Sequence, residues 1–175
     1  MIYVIGVGHY DEQFPHSHNV REKVERLQEF VPRFCKEKGI QLIAEEWCDD
    51  ARRYQSIKTT YSEDIASDLG IEYLPCDPNI AERAKLQMKS REQIAQDLGI
   101  VFAFIQPGSK DEQRVNETDA AKEADAKRER YWLERILARD GANKNTLLVC
   151  GHEHADSLVA LAKSKGYEVA RTPIA

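Results

Sequence analysis

A chain of 175 residues and 20.0 kDa fits one domain. With 42% hydrophobic residues it can bury a core without help from disulfides or a structural metal. A net charge of −5 offers no global basic field for nucleic acid, and the longest apolar run, residues 100–105, falls far short of the roughly 20 residues that span a bilayer.

Residues 2–7 are apolar and β-branched and predict a buried strand that leaves through Gly6 and Gly8, not a signal peptide. Asn19 with Glu22 resembles a capping box, and Val20, Val24, Leu27, Val31, Phe34 and Cys35 follow at helical spacing. Pro32 predicts a kink or a split there, and Gly39 an end. Residues 40–44 read as a second strand closing on Glu45, Glu46 and Trp47. A polar loop from Asp49 to Thr60, a short helix to Gly70 and a third strand over 71–74 come next. Pro75-Cys76-Asp77-Pro78 makes a rigid turn, and one helix is expected from about Ile80 to Leu98. Residues 100–105 suit a strand or a buried helical turn equally. Residues 106–122 are polar and predict a flexible segment. A helix from about Thr118 to Asp140 has a polar first half, expected to project into solvent or a partner. Strand 146–150, a helix closed by Gly166 and strand 167–171 complete the chain. Alternating strands and helices predict an α/β fold, a mostly parallel central sheet with helices on both faces.

In such folds ligands collect at the C-terminal ends of the strands. His9, His16 and His18 follow the first predicted strand, and His152 and His154 follow the strand at 146–150. Gly6 to His9 and Gly151 to His154 both read G-x-x-H directly after an apolar strand. Two imidazoles at one rim can bind a divalent metal or act as acid and base, whereas either alone is as readily a satisfied loop residue. Glu45 and Glu46 point to opposite faces as strand neighbours, so only one reaches such a site with ease. Either can activate water, ligate a metal or orient an imidazole. Asp77 is a further inward candidate or a helix cap. Arg128 or Arg130, ahead of Trp132, suits an anionic group or a site carboxylate, or else an ordinary surface pair. Cys35, Cys48, Cys76 and Cys150 form no C-x-x-C pair and read as reduced thiols of a cytoplasmic protein, with zinc disfavoured. No phosphate loop, no G-x-S-x-G and no H-E-x-x-H occurs.

The paired G-x-x-H motifs with a strand-end glutamate between them resemble the TraB/PrgY, Tiki, ChaN and erythromycin-esterase superfamily. Gly6 and His9 match its first motif and Gly151 and His154 its second. Glu45 or Glu46 matches its glutamate, and Arg128 or Arg130 its helix arginine. His16, His18 and His152 do not map onto the pattern. The chain lacks the membrane helices of the PrgY type and the lipoprotein signal of the ChaN type. Members include metalloproteases, an esterase and a haem-binding protein, so the resemblance implies no single substrate.

Together these features predict one domain over 1–175, a hydrolase acting on a small molecule or peptide. His9, Glu45, Glu46 and His154 are its catalytic candidates, and Arg128, Arg130, Asp77 and His152 its substrate-binding ones. A divalent metal on His9, Glu46 and His154 is the cofactor candidate. The alternative is a non-enzymatic binder of haem, metal or a small anion. No membrane partner is expected, nucleic acid is disfavoured, and a homo-oligomer stays open.

Overall fold

The computed structural model describes residues 1–8, 18–50, 58–106, 108–139 and 143–174, with side chains in the first helix from Glu25 onward. The strands are β1 (Ile2–Val7), β2 (Leu42–Glu45), β3 (Glu72–Pro75), β4 (Thr146–Gly151) and β5 (Val169–Arg171). They form one parallel sheet in the order β3-β2-β4-β1-β5. Because every pairing is parallel, the C-terminal ends of β1, β2, β3 and β4 share a single rim.

The sheet is covered on both faces. Side chains alternate along each strand, so each strand feeds two cores. Ile5, Val7, Ile43, Leu147 and Val149 pack under α1 (His18–Lys38) and α2 (Tyr61–Leu69), whose Leu27, Phe30, Phe34 and Ala66 are buried. Val4, Leu42, Ala44, Leu74 and Leu148 face the other way, against Trp132, Leu133 and Ile136 of α6 (Asp119–Ala138) and Ala155 and Leu158 of α7 (His152–Ser164). Helix α1 starts at His18, which puts Asn19 inside its first turn, and it runs through Pro32 unsplit to the left-handed Gly39.

Between β3 and α6 lies a small cap: α3 (Ile80–Lys85), α4 (Arg91–Asp97), a 3₁₀ turn (Phe102–Phe104) and α5 (Lys110–Asn116). The single helix expected over 80–98 is two. Gln87 takes a positive φ of 52°, and Ser90 with Gln93 forms a capping box that starts a new helix. Within residues 106–122, expected as a flexible segment, Lys110–Asn116 form α5 and residues 119–122 the first turn of α6. Ser109 accepts from the Glu112 N–H and Thr118 from the Ala121 N–H, so each caps a helix. Nor does the first half of α6 project into solvent. Its Ala121 joins Ile94, Ala95 and Val115 in a third core, which fastens the cap to the domain.

Gly6 serves close packing. A Cβ there would lie 2.8 Å from the His152 Cα, so the bare glycine lets the start of α7 rest on β1. No helix among the described residues is long and apolar enough to cross a membrane.

Candidate active site

Glu46 is the first residue beyond β2, and its alternation with Glu45 decides the site. Glu45 turns under α2, where the Thr60 hydroxyl donates to it at 2.6 Å and the Tyr73 hydroxyl donates to the same oxygen. Burial raises the Glu45 carboxyl above its usual range, against the lowering effect of those hydroxyls. Glu46 turns to the α6–α7 face. Its Oε2 accepts the Gly151 N–H at 2.7 Å, and its Oε1 accepts from Arg128 Nη2.

Arg128 is the hub. Its Nε donates to Asp77 Oδ1 at 3.0 Å, its guanidinium lies 5.1 Å over the Trp132 ring, and its Nη1 sits 3.4 Å from His154 Nε2. Burial opposes its charge, but Asp77 and Glu46 outweigh that and push its pKa up, so it stays a cation. Asp77 also accepts from Trp132 Nε1 at 2.9 Å and from Arg83. Burial pulls the Asp77 carboxyl upward, yet Arg128 and Arg83 hold it below its usual range. Asp77 thus fixes Arg128 and Trp132 in place, and Asn79 is the residue that caps α3.

His154 lies in the first turn of α7 and is 3% exposed. Its Nδ1 is 3.0 Å from Glu129 Oε1, which also accepts from Ser157 Oγ at 2.7 Å. Glu129 accepts there, so Nδ1 carries the proton and Nε2 presents a lone pair toward Arg128. Glu46 Oε1 is 3.9 Å from that nitrogen. Arg128 and His154 are the members of the cluster that line a cleft of about 780 Å³, bordered also by Gly8, Arg91, Phe102 and Ile105.

Of the predicted residues, the structure brings together Glu46, Asp77, Arg128 and His154. Arg130 is exposed and bonds the Ala126 carbonyl, away from the cluster. His152 is exposed at the cleft wall beside Glu153. Glu45 is on the far face. His9 and His16 lie outside the described residues, as does the His18 side chain. Sequence reading missed Glu129, Ser157 and Arg91. The signal for Glu129 is its place beside Arg128 and three residues before Trp132, on the stripe that α6 buries; Ser157 follows His154 by three on α7.

The donors suit a metal poorly. Both Glu46 oxygens already have donors, and Nε2 of His154 looks onto a guanidinium, whose charge repels a cation. Among the described residues no group of three or more His, Cys, Asp or Glu could hold an ion. The thiols are equally quiet. Cys35, Cys76 and Cys150 are buried, and burial raises the pKa of each, to about 11 for Cys35. No family model, no curated protein and no solved structure matches the chain significantly.

Proposed function

We propose that the protein is a metal-independent hydrolase of esters, working at the His154–Arg128 cluster. One observation carries this: an imidazole held by a buried carboxylate on Nδ1 has its Nε2 beside a guanidinium, and both residues line one cleft. The paired G-x-x-H resemblance to the erythromycin-esterase branch points the same way. So does His9, which directly follows Gly8 of the cleft wall in sequence.

The chemistry follows from the bonding. The substrate carbonyl oxygen accepts from Arg128 Nη1, the guanidinium nitrogen that lies beside His154 Nε2 and 4.0 Å from Asp125. His154 Nε2 takes a proton from water as the oxygen attacks the carbonyl carbon, and Glu129 stabilises the resulting imidazolium. Arg128 faces the developing oxyanion, and Glu46 and Asp77 keep it from moving. The leaving alkoxide then takes the proton from His154, with His9 as a second proton carrier. The products are a carboxylic acid and an alcohol. With Cys35, Cys76 and Cys150 buried as thiols, we place this reaction in a reducing, cytoplasmic compartment.

The test is a hydrolysis screen of p-nitrophenyl esters and generic peptides, run with chelator and with metal content measured. Ester turnover that survives chelation and falls in His154→Ala and His9→Ala supports the proposal. Turnover that needs an added divalent cation contradicts it. No turnover, but stoichiometric binding of haem or an anion, favours the binding protein instead.

A further inference from the structure

Three large apolar side chains crowd one turn of the cap. Val101 is 59% exposed, Phe102 44% and Phe104 77%. Scattered surface hydrophobes are ordinary, but a cluster in four residues marks a contact surface. This cluster is continuous with the cleft. Phe102 belongs to both, and Ile105 and Val115 carry the apolar wall inward toward the cap core. The lining also carries polar groups, among them Arg128 and His154. Glu112 and Glu153 border the same space and disfavour a second anionic group on the ligand. The volume suits a ligand of drug size, well beyond an acetyl group.

We infer that the cleft binds uncharged esters carrying an extended apolar group, which lies along Phe102, Ile105 and Val115 and covers the exposed turn while the carbonyl meets Arg128. This rests on the ester-hydrolase proposal and adds the substrate class to it. Phe102 and Phe104 are then specificity residues, remote from the reacting atoms.

The experiment is a p-nitrophenyl series from acetate to decanoate, paired with calorimetric binding of butyrate and decanoate, which needs no turnover. A buried methylene is worth about fourfold in affinity at full burial, so at least a tenfold rise across the series is expected. Decanoate should bind one to one and at least tenfold tighter than butyrate. The double variant Phe102→Ser/Phe104→Ser should lose both preferences, and Phe102→Leu/Phe104→Leu should regain them. Circular dichroism checks that both variants fold.

No turnover of any ester, with the decanoate preference intact and lost in the serine variant, sinks the hydrolase proposal and leaves the ligand class standing. Equal kcat/KM across the series, with butyrate and decanoate binding alike, overturns the inference. So does a dimer in sedimentation that the serine variant dissolves, because the patch would then belong to a second copy of the chain.

Discussion

Glu45 and Glu46 are neighbours in sequence, yet their carboxylates are held by opposite chemistry. Glu45 is buried among hydroxyls, and its carboxyl pKa is raised by burial. A raised value means that the folded protein binds the proton more tightly. Its contribution is present below the ordinary 4.5 and is lost as pH climbs through the raised value. Glu45→Gln keeps an acceptor for Thr60 and Tyr73 and removes the titration. We expect that variant to be at least as stable as the parent at pH 8 by urea denaturation, and an equal loss at pH 5 and pH 8 would refute this. Asp77 behaves in the reverse way. Its depressed carboxyl contributes above the ordinary 3.8, and the contribution disappears as pH falls below it. Asp77→Asn leaves Arg128 short of a carboxylate and is expected to cost about 3 kcal/mol at pH 7. That gap should shrink below pH 3. A pH-independent gap would mean that the ion pair contributes little.

At the scale of the element, two joints set the cleft: the contact of α7 with β1 and the core that ties down the cap. Gly6→Ala forces the start of α7 away from β1, since the obstructing atom is backbone. We expect a loss of about 1–3 kcal/mol together with weakened activity, because His154 rides on that turn. Unchanged activity would show that the helix start can shift freely. Val115 is 2% exposed in the cap core, and Val115→Asp puts a charge there. Hydrogen exchange should then speed up across α4 and α5 while β4 amides stay protected. Loss of protection everywhere would make the cap and sheet one cooperative unit. The sheet was legible because its strands are apolar runs ended by glycine, proline or acid. The cap was not. Its helices are short and polar: the cap at Ser90 falls inside what reads as one helix over 80–98, and the cap at Ser109 inside a polar stretch without an apolar period. On α6 the choice between Arg128 and Arg130 was decidable in principle. Residues two apart lie some 200° apart around a helix, and only Arg128 shares a face with Trp132.

Across the whole molecule, the parallel sheet places the ends of β2, β3 and β4 on one rim, and α6 lays Arg128 and Glu129 across it. Sequence pattern could foresee the rim from strand–helix alternation. It could not foresee that Glu129 would be buried against His154, because that contact joins residues 25 apart through two helices of different loops. Nor could it rank Glu45 and Glu46 before the face covered by α6 was known. The cluster is therefore a product of topology, and its function stands or falls with the imidazole at its centre. The decisive measurement is kcat/KM for an ester substrate in the parent, His154→Ala and Glu129→Gln, each verified as folded by circular dichroism. We expect a loss of about 10²–10⁴-fold for His154→Ala and a smaller loss for Glu129→Gln, both unaffected by chelator. A folded His154→Ala protein with parental kcat/KM would contradict the account.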